Sequence, residues 1–178
     1  MSDARIRRVL VVALLLAGCA PTWQAPPTPP VAAAPEPSLF GYPWTWLDEH
    51  GARVAFSRWR GTPLVVAAVY ATCFETCPLT LARLRTLYEE YVRAGRNSQF
   101  VVVTMDPEID TQERLLRFKQ SRNLPEPWRL LTGSRQDTAQ LMDVLGIHVM
   151  EMEVHLVHDS KITLFDPRGV RTASLDVR

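Results

Sequence analysis

The sequence predicts an α/β domain in which a central mixed β-sheet is flanked by helices and entered through an N-terminal β-hairpin. Three observations predict it. Apolar runs rich in Val, Leu and Ala alternate with stretches whose apolar residues recur at helical spacing. The last predicted strands follow one another with no helix between them, so the sheet ends in a hairpin and is not wholly parallel. Roughly 135 residues follow a proline-rich start, enough for one domain with one core.

The elements follow in order. Trp44 to Leu47 and Arg53 to Phe56 flank a turn at Asp48-Glu49-His50-Gly51 and read as a short hairpin. Leu64 to Tyr70 is continuously apolar, the pattern of a strand buried on both faces. The next helix begins near Pro78, because proline at the first helical position needs no N–H partner and carries a suitable φ. It runs to about Gly95, with Leu81, Leu84, Leu87, Tyr88 and Tyr91 on one face. Gln99 to Met105 is a second apolar strand, Asp110 to Gln120 a second helix and Trp128 to Leu131 a short strand. Ser134 is placed to cap a third helix that ends at Leu145. Val154 to Val157 and Lys161 to Phe165 read as strands, closed by a turn at Asp166-Pro167-Arg168-Gly169. No internal repeat is present.

The first 18 residues read as an address. Arg5, Arg7 and Arg8 precede an apolar run from Val9 to Ala17, far short of the ~20 residues a bilayer span needs. Leu16-Ala17-Gly18-Cys19 resembles a bacterial lipoprotein signal, which implies acylation of Cys19 as the mature N-terminus. The protein would then sit in the bacterial cell envelope, lipid-anchored and facing the periplasm. By analogy with that class, Ala20 in place of Asp favours the outer membrane. Ordinary cleavage or an uncleaved anchor is the alternative. Between Ala20 and Pro43 lie eight of the fourteen prolines, the composition of an extended, semi-rigid tether. The chain therefore divides into a signal over 1–18, a lipidated Cys19 with its tether over 19–43, and a folded domain over 44–178.

Removing residues 1–18 takes away three Arg and one Asp, leaving 17 basic and 18 acidic side chains and a formal charge of −1. Eighteen of the 20 basic residues are Arg, but they are scattered and read as solvated surface. Nothing in this balance points to nucleic acid.

With Cys19 carrying lipid, Cys73 and Cys77 are the two remaining thiols, and no other competes for either. They lie just beyond the C-terminal end of a central strand, where open α/β sheets place their sites. Cys77 falls at or beside a helix start, whose free N–H groups and partial positive charge stabilise a thiolate. Two thiols at this spacing can chelate a soft metal or close into a disulfide, and an exported pair can be oxidised.

Four collinear motifs then resemble one family. Cys73-Phe74-Glu75-Thr76-Cys77-Pro78, Met105-Asp106-Pro107-Glu108-Ile109-Asp110-Thr111, Leu131-Thr132-Gly133-Ser134, and Val157-His158 nine residues ahead of Pro167 look like the successive signatures of Sco/SenC proteins. The resemblance covers most of residues 44–170. It implies a thioredoxin-like fold and a copper chaperone that helps assemble the binuclear copper site of cytochrome c oxidase. Some members have also been assigned thiol–disulfide roles. It further implies that Cys73, Cys77 and His158 bind copper, and that the partner is a copper-accepting oxidase subunit. The residue chemistry agrees: thiolates suit Cu(I), and an added imidazole lets the site hold either oxidation state. Zinc accepts the same donors but would keep an open position.

A lone His in a short polar loop is usually just solvated, and the family register is what singles out His158. His155 would face the opposite side of an extended segment. His148 and His50 read as surface or loop residues. Asp106 reads equally as an acid that orients a ligand or as the cap of a strand-to-helix turn, with Pro107 blocking further pairing. Trp44, Trp46, Trp59 and Trp128 could form a docking surface, and core packing is the preferred reading.

Three departures from the family stand out. Phe74 follows the first cysteine where many members have proline. The connection from Leu145 to His158 is short, so a hairpin that some members use for partner contact is expected to be reduced. The chain ends at Arg178, ahead of the C-terminal helix expected of the fold, so that helix is absent or the reading frame is truncated. The enzyme alternative is a periplasmic thiol–disulfide oxidoreductase using Cys73 and Cys77. Against it stand the three intervening residues and the lack of a proline at Asp159-Ser160-Lys161. A structural disulfide is the third reading.

Overall fold

A computed structural model describes residues 37–73, 76–151 and 156–177. The predicted signal, Cys19, most of the tether, Phe74, Glu75 and His155 lie outside the described residues. No helix among the described residues is long and apolar enough to cross a membrane.

Strands β1 (Trp46–Asp48) and β2 (Arg53–Val54) form the predicted N-terminal hairpin. They are followed by β3 (Leu64–Val69), helix α1 (Thr76–Arg93), β4 (Gln99–Thr104), α2 (Gln112–Ser121), β5 (Arg129–Thr132) and α3 (Arg135–Leu145). Strands β6 (Val149–Glu151), β7 (Leu156–His158), β8 (Lys161–Phe165) and β9 (Arg171–Asp176) complete the order. Seven strands make one mixed sheet in the order β2-β1-β5-β4-β3-β8-β9. Its centre is parallel, β3 with β4 and β4 with β5, and β1 and β8 flank it antiparallel. Every residue of β3 is buried, as its unbroken apolar run required.

The end of the chain departs from expectation. β7 does not join the main sheet but pairs with β6 as a separate two-stranded ribbon. The predicted turn at 166–169 instead joins β8 to β9, an edge strand with mostly exposed side chains. Neither β6 nor β9 carries a readable pattern, because one has three residues and the other offers only Ala173 and Leu175 as apolar residues, with most of its side chains exposed. The connection from Leu145 to His158, where a reduced hairpin is expected, carries two paired strands of three residues each.

α1 packs on β3 and β8, and α2 on β5. The predicted apolar face of α1 buries Leu81, Leu84, Leu87 and Tyr91, with Tyr88 partly covered. Phe100 and Trp128 stack at 5.7 Å between ring centroids, and Tyr88 and Tyr91 meet Phe100 edge-on. Trp44, Trp46 and Trp128 are buried and Trp59 packs partly against the core, so the tryptophans are mainly packing residues. A Cβ on Gly133 would lie 2.6 Å from the Trp46 ring, so the glycine of the Leu131–Ser134 motif lets that ring lie against the chain. Ser134 caps α3 by accepting from the Asp137 amide at 3.0 Å, as predicted.

Packing also reaches into the proline-rich stretch. Leu39 and Phe40 are buried, and the Leu39 amide donates to the Gly169 carbonyl at 2.8 Å. The turn at Glu49 is more than a turn. Glu49 is fully buried, its Oε1 2.6 Å from Lys119 Nζ, while its Oε2 accepts from the Leu130 amide at 2.9 Å. Lys119 also donates to the Trp128 carbonyl at 2.8 Å, which clips the N-terminal hairpin to α2 and β5.

Candidate metal centre

The cysteine loop leaves the C-terminal end of β3. The Tyr70 carbonyl accepts from the Cys73 amide at 3.1 Å, closing a turn that presents Cys73. α1 then starts at Thr76, two residues ahead of the expected Pro78, which puts Cys77 in the first turn of the helix rather than at its cap. Pro78 still costs no hydrogen bond, since first-turn N–H groups have no partner within the helix. The Cys77 amide points back at the loop and donates to Cys73 Sγ at 3.3 Å. Neither cysteine is in a disulfide, and both are buried, 4% and 1% exposed.

His158 arrives from the separate β6–β7 ribbon, at the end of β7 and opposite Val149. It therefore ends a strand instead of sitting in a loop. Its Nε2 lies 4.0 Å from Cys77 Sγ. One donor atom from each of Cys73, Cys77 and His158 lies within 4.8 Å of the others, and among the described residues they form the one such group. The His158 Nδ1 is 3.0 Å from the Asp159 carbonyl. A carbonyl can only accept, so Nδ1 carries the proton and Nε2 keeps a lone pair toward the sulfur. The Tyr70 ring meets the imidazole edge-on at 5.7 Å between centroids and packs against it.

Burial decides the protonation state of Cys77. It pushes the Cys77 thiol far above its ordinary value of 9.0, helped by the hydrogen bond and charge of Cys73 and by the charge of Asp110, while the Tyr70 backbone pulls the other way. This corrects the expected thiolate. A helix terminus offers a charge about 0.3–2 kcal/mol, whereas removing an ion from water costs several kcal/mol. The metal-free pair therefore keeps Cys77 as a thiol, and a bound soft cation is what removes the proton.

The donor set fits a soft metal. Two donors bonded to one ion at roughly trigonal angles, at lengths like those of zinc sites, stand ~3.8 Å apart, close to the separation of Cys77 Sγ and His158 Nε2. Sulfur donors with one imidazole suit copper in either oxidation state.

Asp106 sits where the turn reading put it. Its carbonyl accepts from the Ile109 and Asp110 amides at 3.2 and 2.8 Å, and its amide donates to Thr104 Oγ1 at 3.0 Å. Burial, followed by the charge of Asp110, raises its carboxyl above the usual range. The acid that reaches the cysteine loop is Asp110, fully buried, whose Oδ2 accepts from the Ala71 amide at 2.8 Å. Asp110 lies within a quoted motif, but its contact spans 39 residues and no local pattern announces it. His148 is exposed and paired with Asp159 at 2.8 Å, and His50 is exposed beside Glu49.

A model of the SCO1/SenC family matches residues 32–177. No curated protein matches the chain in sequence. Among solved structures it is similar to ScoI of Arabidopsis thaliana with copper bound, at 19% identity over 77% of this chain and 87% of that one, with a TM-score of 0.69. A SCO1/SenC family lipoprotein from Bacillus anthracis aligns at 22% identity over 80% and 89%, with a TM-score of 0.69. BsSco, described as carrying a disulfide switch and as a member of the Sco family of cytochrome c oxidase assembly proteins, aligns at 20% identity over 79% and 85%, with a TM-score of 0.68. These likenesses establish the thioredoxin-like Sco fold.

Proposed function

The chain belongs to the SCO1/SenC family, and on that premise we propose that it binds copper through Cys73, Cys77 and His158 and serves as a copper chaperone in oxidase assembly. The observation that carries this reading is the convergence of two buried thiols and one oriented imidazole from separate elements on a single point. Relatives of the same fold were solved with copper bound, and another is described as an oxidase assembly protein. Copper is cargo here, and a site built from only three protein donors suits capture and release.

The membrane anchor belongs to the same proposal. Acylation at Cys19, with a proline-rich tether that ends where Leu39 and Phe40 pack on the domain, would let an envelope-facing site search the surface of a membrane-embedded oxidase at high effective concentration. Cys19→Ser should free the domain from membranes; retention after an alkaline wash would refute the anchor.

The test of the copper reading is a visible-region titration of reduced protein. One ion per chain with a strong thiolate-to-Cu(II) charge-transfer band supports it, and no band with no stoichiometric binding overturns it. In cells, deleting the gene should lower oxidase activity most at limiting copper, and added copper should restore it. A thiol–disulfide oxidoreductase is the second reading, favoured by the ability of the same pair to close into a disulfide. It predicts misfolding of many exported cysteine proteins with no rescue by copper. The high Cys77 thiol argues against Cys77 as the attacking sulfur, since nucleophilic cysteines of such enzymes are shifted down, and leaves it the resolving one.

A further inference from the structure

We propose that Asp110 sets the redox preference of the copper site, its buried carboxylate beneath the cysteine loop favouring Cu(II) over Cu(I) on Cys73 and Cys77. The inference rests on the copper reading above.

Asp110 is fully buried. Its Oδ2 accepts from the Ala71 amide at 2.8 Å and from Thr104 Oγ1 at 2.7 Å. Ala71 lies inside the turn closed by the Cys73 amide on the Tyr70 carbonyl, so the carboxylate is held against the segment that presents the first sulfur. The other oxygen, Oδ1, accepts no hydrogen bond among the described residues. The cation facing it there is Arg114, with Nε at 3.4 Å on a side chain 38% exposed, whose charge is shared with water. A carboxylate so placed keeps a negative field in a region of low dielectric, where charges act over longer range than in solvent. A simple loop clip would need only an acceptor, which an amide supplies equally.

The charge on the metal site makes that field selective. Two thiolates and a neutral imidazole around Cu(I) carry a net charge of −1, and around Cu(II) a net charge of zero. Reduction of bound Cu(II) takes one electron from an external one-electron mediator, breaks no bond and moves no proton, so it adds one negative charge beside Asp110. The carboxylate opposes that step.

The experiment poises the copper-loaded full chain against one-electron mediators and follows the thiolate-to-Cu(II) band. Asp110→Asn keeps an acceptor for Ala71 and Thr104 and removes the charge. It should shift the ratio of Cu(I) to Cu(II) about tenfold toward Cu(I), a rise of ~59 mV for one electron. Arg114→Gln removes the facing cation from the protein surface and should shift the ratio the other way by a smaller factor. If Asp110→Asn does not fold, the sign of the Arg114→Gln shift decides. Equal potentials in the parent and both variants, or shifts of reversed sign, overturn the proposal while the band leaves the copper reading intact. Absence of the band in the parent protein overturns both.

Discussion

Copper uptake should rise steeply with pH, because Cys77 must surrender a proton that burial holds in place. The perturbation is a change from pH 6 to pH 8. Cys77 is 1% exposed, and burial first, then Cys73 and Asp110, keep its thiol well above 9.0. Across this window it is protonated in the metal-free protein and deprotonated in the complex, so binding releases its proton. One displaced proton makes the association constant rise tenfold per pH unit, or about 100-fold over the window. The assay is anaerobic competition with a chromogenic Cu(I) chelator, corrected for the chelator's own protonation. A flat profile would refute the reasoning, since it would mean that the helix start outweighs burial and that Cys77 is already a thiolate. Stability of the metal-free protein shares this origin. The folded-state thiol lies above its unfolded value, so its contribution is complete below about pH 9 and is lost as the pH rises beyond it. Replacing Cys77 with Ser should flatten that alkaline loss.

Other consequences are equally direct. His158→Ala should weaken Cu(II) binding more than about 100-fold and perturb the charge-transfer band, beyond what removal of an outer partner does, whereas either thiol variant should abolish tight binding; an unchanged spectrum would remove the imidazole from the site. Glu49→Gln removes the buried carboxylate from Lys119, leaving the ammonium with only the exposed Glu126 as an anionic partner among the described residues, and should cost about 3 kcal/mol in urea unfolding, with copper stoichiometry preserved. Gly133→Ala drives a methyl group into the Trp46 ring and should destabilise by about 1–3 kcal/mol, read as a lowered midpoint and altered tryptophan fluorescence.

The central elements were legible because their residues carry their own pattern. β3 is an unbroken apolar run, α1 repeats Leu and Tyr at helical spacing, and Ser134 announces the cap of α3. Cys73 and Cys77 were legible as a pair for the same local reason, their position at the join of strand and helix. His158 was legible only through its place in a series of motifs. What tertiary structure alone decided is whatever depends on partners distant in the chain. β6 and β9 exist because a neighbouring strand completes their hydrogen bonds, not because their side chains demand a strand. The protonation of Cys77 follows from how deeply the assembled core covers it, a quantity no spacing encodes, and it reverses what the helix start by itself suggests. Asp110 touches the cysteine loop, and Glu49 meets Lys119, because the sheet order brings together segments 39 and 70 residues apart. Sequence patterns report the local bias of each segment. Burial and long-range charge are properties of the packed molecule, and here they set the chemistry of the site.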